Sequence, residues 1–80
     1  MAQVRLFASA REAAGVGRDV IDGATVADVL RLAEARYGAR FADVLATCRV
    51  WVYGDDVELD TSIGPGDELA VLPPVSGGAT

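Results

Sequence analysis

Apolar and polar residues alternate at the start of the chain. In Gln3-Val4-Arg5-Leu6-Phe7-Ala8 the positions Val4, Leu6 and Ala8 share one face, and Arg5 and Phe7 share the other. That period of two predicts an opening strand. Phe7 is then an aromatic opposite the core, either covered by another element or exposed for a partner. Ser9-Ala10-Arg11-Glu12 fits a capping box, with Ser9 at the N-cap and Glu12 three residues on. Alanines follow, and Gly15 is placed to stop a short helix. Gly17-Arg18-Asp19-Val20-Ile21 reads as a second strand, turned antiparallel by the short return.

The period then changes to that of a helix. Thr25 is a capping residue, and Asp28 lies near the positive end of the helix dipole. Val26, Val29, Leu30, Ala33 and Tyr37 recur at helical spacing up to Gly38. Phe41, Val44, Leu45 and Cys48 repeat the pattern over a second, shorter helix. Val50-Trp51-Val52-Tyr53 is β-branched and aromatic, hence a strand. Gly54-Asp55-Asp56 predicts a turn and Val57-Glu58-Leu59 a short extended piece. Gly64-Pro65-Gly66-Asp67 carries another turn signature. Glu68-Leu69-Ala70-Val71-Leu72 is the last strand and runs into Pro73, which cannot continue a central ladder. Strands and helices in this order predict an α+β domain, with one main helix packed across one face of a mixed sheet.

Eighty residues make one domain, and 51% apolar content supplies a core without staples. The single cysteine, Cys48, lies on an apolar helical face and reads as a small hydrophobe. With no histidine and no second cysteine, no zinc site and no Ser-His or Cys-His pair is expected. Gly15-Val16-Gly17 lacks the remaining parts of a phosphate loop. The net charge of −5 argues against a nucleic-acid partner and for partners with basic surfaces. The acids gather at Asp55, Asp56, Glu58 and Asp60, then at Asp67 and Glu68. With one cysteine no intrachain disulfide can form, so a reduced, cytoplasmic location is expected; no signal peptide and no apolar run of membrane-spanning length is evident.

Chemistry concentrates in the last residues, Pro73-Pro74-Val75-Ser76-Gly77-Gly78, followed by Ala79 and Thr80. Two prolines stiffen the approach and two glycines leave bare backbone. Fully extended, residues 73–78 reach roughly 20 Å. This is the shape of a thin probe for another protein's active site, though a frayed terminus has the same composition. No apolar periodicity holds it to the body, so residues 73–80 are expected to be a flexible tail on a domain of residues 1–72.

The element order and this tail resemble the small subunit of molybdopterin synthase and the MoaD/ThiS-like sulfur carriers. The resemblance rests on Val4-Arg5-Leu6-Phe7-Ala8 with Arg11-Glu12, and on the closing run from Gly66-Asp67-Glu68 through Leu72 to Gly77-Gly78. It implies a β-grasp, ubiquitin-like fold. It implies that the Gly78 carboxylate is adenylated by an ATP-using activating enzyme, then thiocarboxylated, and that its sulfur passes to a pterin precursor on the large synthase subunit. ATP would belong to the activating enzyme, with no cofactor bound by this chain. By position, Gly78 would carry the sulfur; Gly77, Ser76, Val75, Pro74 and Pro73 would form the inserted tail; and Phe7 and Leu72 would bind partners.

In that family the second glycine is normally the last residue, whereas here Ala79 and Thr80 follow. Three accounts stand open: removal by a processing metalloprotease, a non-functional tail, or activation chemistry that bypasses Gly78. Removal is the favoured one. Two other functions also remain: a sulfur carrier for another product such as cysteine, a thiazole or a secondary metabolite, and a docking module with no sulfur chemistry.

Overall fold

The structure is a computed structural model that describes residues 2–73. Five strands, β1 (Ala2–Leu6), β2 (Arg18–Ile21), β3 (Arg49–Val52), β4 (Asp55–Asp56) and β5 (Glu68–Leu72), form one sheet in the order β2-β1-β5-β3-β4. The first and last strands lie parallel at its centre, with Leu6 opposite Val71. The other pairs are antiparallel. Three helices, α1 (Ala8–Ala14), α2 (Val26–Tyr37) and α3 (Ala39–Leu45), complete the fold. This is the mixed-sheet α+β architecture of a β-grasp domain.

Alternation sorts the strands into faces. Ala2, Val4 and Leu6 of β1, with Leu69 and Val71 of β5, are buried under the helices. From α2 come Val26, Val29, Leu30 and Ala33, and from α3 Phe41, which is fully buried. Thr25 caps α2 as its sequence predicts: its Oγ1 accepts the Asp28 N–H at 3.2 Å. Gly38, at φ 100°, ends α2 and starts α3, a backbone state that favours glycine. The turn brings Tyr37 and Phe41 edge to face, 5.0 Å between ring centroids.

Two local expectations are corrected. Ser9 does not cap α1. The Phe7 N–H is still donating to the Val71 carbonyl at 3.1 Å, while the Phe7 carbonyl already accepts the Ala10 N–H at 3.1 Å. The chain passes from ladder to helix in one residue, so Phe7 is the cap position and makes no side-chain cap bond. Ala8 is drawn into α1 at φ 50° and is exposed, not on the core face. The second correction is at the hairpin. The turn is Tyr53-Gly54, both at positive φ, and Asp55–Asp56 pair with β3. A two-residue loop with both centres left-handed matches the strand twist. Residues 57–59 therefore form no strand. The Tyr53 hydroxyl donates to Asp67 Oδ1 at 2.6 Å, tying the turn to the loop before β5.

Candidate functional site

The helices cover one sheet face; the other carries the outward side chains of every strand. Gln3 and Arg5 come from β1, Arg18 and Val20 from β2, Arg49 and Trp51 from β3, Asp56 from β4, and Glu68, Ala70 and Leu72 from β5. Registers set Arg5 beside Ala70, Ala70 beside Trp51, and Leu72 beside Arg49. Ala70 is small and central, so the floor of this face is shallow between Arg5 and the Trp51 ring.

Phe7 and Leu72 each follow the Leu6–Val71 pair by one residue on adjacent parallel segments. They reach the same end of the same face, and both are half-buried. The Arg5 guanidinium lies over the Phe7 ring, 5.5 Å from its centroid, within cation–π range. Pro73, also half-buried, continues from β5 at this end. The tail positions Pro74, Val75, Ser76, Gly77 and Gly78 lie outside the described residues, as do Ala79 and Thr80.

Sequence reasoning did not single out Arg5, Arg49 or Trp51. Their signal was present in Arg49-Val50-Trp51-Val52: once Val50 and Val52 face inward, Trp51 must face out. The structure adds an anchor, since Trp51 Nε1–H donates to Asp56 Oδ1 at 2.8 Å and Arg49 lies 3.6 Å from Asp56 Oδ2. A rigid aromatic, an exposed arginine and a shallow floor suit protein docking better than small-molecule turnover.

Sites for chemistry within the body are poor. Cys48 is half-buried and its thiol donates to the Val44 carbonyl at 3.2 Å. Burial pushes that thiol upward, away from the nucleophilic thiolate. Among the described residues no cluster of three His, Cys, Asp or Glu is arranged to hold a metal ion. A depression lined by Ala8, Arg11, Glu12 and Gly15 brings no nucleophile beside a base. Among the described residues no helix is long and apolar enough to cross a membrane. Asp67 is held below the usual carboxylate range, first by the Tyr53 hydroxyl and then by the Gly64 N–H, and serves the loop before β5.

The comparisons with known proteins agree with this geometry. The ThiS family model matches residues 4–78, which include the glycine pair. The molybdopterin synthase sulfur carrier subunit of Drosophila erecta is 35% identical over 79 residues, covering 94% of this chain and 88% of that one. Small archaeal modifier protein 1 of Methanosarcina acetivorans superimposes with a TM-score of 0.83 at 30% identity, over 96% of this chain and 95% of that one. A chain of the BexX/CysO complex of Amycolatopsis orientalis gives 0.77 at 26% identity, over 98% and 100%. With a β-grasp body, a β5 that runs directly into Pro73 and a family match from residue 4 through Gly78, the chain belongs to the ThiS family, the ubiquitin-like sulfur carriers of the MoaD/ThiS type.

Proposed function

We propose that this chain is the sulfur-donating small subunit of a molybdopterin synthase, acting in the cytoplasm in molybdenum cofactor biosynthesis. The observation that carries this reading is the Pro-Pro-Val-Ser-Gly-Gly run directly after β5, in a chain 35% identical to a molybdopterin synthase sulfur carrier subunit. Residues 1–72 are the body that partners grip, and residues 73–80 are the reaching tail. The body catalyses nothing itself.

A carboxylate is a poor electrophile, so it must first gain a leaving group. In the activating enzyme a Gly78 carboxylate oxygen attacks the α-phosphorus of ATP and pyrophosphate leaves. A sulfur nucleophile then adds at the Gly78 carbonyl, AMP departs, and a thiocarboxylate remains. On the large subunit the thiocarboxylate sulfur passes to the pterin precursor and water restores the carboxylate. Glycine at 77 and 78 leaves no side chain to jam the partner's channel. Phe7 and Leu72 seat the body so that the tail enters in line. Gly78 is followed by Ala79, so its carbonyl is an amide until residues 79–80 are removed, work suited to a metalloprotease.

The similarity to a small archaeal modifier protein and to the BexX/CysO complex favours a second reading, the same carrier chemistry with another sulfur acceptor. Two measurements separate the accounts. ATP–pyrophosphate exchange with the cognate activating enzyme should be silent for residues 1–80 and active for residues 1–78. Equal activity excludes removal as the gate, and silence from both leaves a docking module. Intact mass of the charged product, before and after each candidate acceptor is supplied, identifies the acceptor.

A further inference from the structure

Strand β2 is an edge of the sheet, and an edge strand offers unpaired backbone groups to any other strand. The opposite edge, β4, is two aspartates long, too short and too charged to recruit a strand. β2 is four residues long, and its Val20 is 46% exposed. The ladder shows which of its groups face out. The Leu6 N–H donates to the Gly17 carbonyl at 2.9 Å, so residues 17, 19 and 21 turn toward β1. Arg18 and Val20 therefore point their N–H and C=O away from the sheet.

Both outward groups of Val20 are occupied by side chains of this same chain. Its N–H donates to Asp19 Oδ1 at 2.8 Å, and its carbonyl accepts from Arg36 Nη1 at 3.0 Å. The same Arg36 nitrogen donates to Asp19 Oδ2 at 2.9 Å, and the Tyr37 hydroxyl donates to that oxygen at 2.5 Å. The last turn of α2 thus reaches over the sheet edge and closes a ring around one residue's backbone.

We propose that the Asp19–Arg36–Tyr37 clasp is an edge guard that excludes a second copy of this chain from pairing with β2. The excluded state is well defined. Two β2 strands related by a two-fold axis at Val20 would exchange the Val20 N–H and C=O with each other, and the clasp holds those same two groups. In that register Arg18 stands opposite Asp22 of the second copy, and Asp19 opposite Ile21. Opposite charges and an exposed β-branched residue at the axis favour the pairing, so the barrier is the clasp rather than poor complementarity.

Sedimentation equilibrium of the full chain and its variants tests this. The native chain should remain a monomer. Arg36→Ala and Asp19→Ala should each shift toward dimer by roughly tenfold or more in association constant, with helical and sheet signals unchanged. Adding Val20→Pro to Arg36→Ala removes the outward N–H while remaining tolerable at an edge, and should restore the monomer. Two folded single variants that remain monomeric, a dimer that survives Val20→Pro, or a native chain already paired through β2 would each overturn the proposal. Amide exchange in the native chain gives a reading that needs no variant. The Val20 N–H should exchange roughly tenfold more slowly than the other outward amide, Arg18, and equal rates would refute the guard.

Discussion

Replacing Tyr37 by phenylalanine removes one hydroxyl and nothing else, and its effect should change sign with pH. The hydroxyl donates to Asp19 Oδ2 at 2.5 Å, beside Arg36. A hydrogen bond to a charged acceptor contributes about 1.5–3 kcal/mol. Asp19 keeps its Arg36 and Val20 N–H partners and its side chain is 29% exposed, so Tyr37→Phe should cost only about 1–2 kcal/mol near neutrality. Burial first, then the bond to Asp19, pushes the Tyr37 hydroxyl up from 10.0 to about 12. Its folded value exceeds its unfolded one, so the native tyrosine's contribution is complete below pH 10 and is withdrawn as pH climbs through 12. A shift of that size corresponds to about 2 kcal/mol once partial solvent screening is allowed for. Native chain and variant should therefore become equally stable near pH ~11, and the variant should be the more stable above that. Urea unfolding of both proteins across the alkaline range measures the gap directly. Tyr53, raised by its bond to Asp67, titrates in both and cancels. A gap that is the same in neutral and strongly alkaline buffer would refute the coupling of Tyr37 to Asp19.

Two further outcomes follow from other parts of the molecule. A Cβ at position 23 would lie 2.7 Å from Val29 Cγ2 and 2.9 Å from the Val29 nitrogen. Helix backbone cannot yield there cheaply, so Gly23→Ala should lower stability by about 1–3 kcal/mol in thermal or urea unfolding; an unchanged midpoint would show that the loop steps aside. Phe7→Asp places a charge where a half-buried aromatic lies under Arg5 at the end of the outward face. Titration calorimetry against the activating enzyme or the large subunit should show affinity weakened about tenfold or more, with the fold retained, and unaltered affinity would remove Phe7 from the interface.

The regular elements were legible because periodicity reports burial. The α2 stripe of Val26, Val29, Leu30 and Ala33 is buried as read, and β5 begins and ends where its alternation places it. Failures fell where tertiary hydrogen bonds override local preference. Ser9 has the chemistry of a cap, but the ladder bond from Phe7 to Val71 leaves it no room. Tyr53 has no intrinsic taste for a left-handed turn, and its partner Asp67 lies fourteen positions away in sequence. Phe7 was legible as lying opposite the core, Leu72 entered only through the family resemblance, and the parallel register brings both to one end of the face. Trp51 and Arg49 were overlooked because one strand's alternation does not say which neighbours share its outer row. The clasp at Asp19 was invisible for the same reason, since it joins residues seventeen and eighteen positions apart.

The central place of the last strand has a consequence for how the molecule is made. β5 lies between β1 and β3, and without it the sheet falls into two hairpin-sized halves, β2-β1 and β4-β3. Two-stranded pieces are marginal alone in water. During synthesis the chain therefore cannot close its core until residues 68–72 have left the ribosome, and it does so through contacts between its two ends, a slow class of closure. The Gly-Gly tail is attached to that closing strand. Under the proposed function, a chain whose outward face a partner grips before it takes the tail is, by construction of the sheet, a chain that has finished folding. An activating enzyme that reads the outward face before it accepts the tail would spend ATP only on completed molecules.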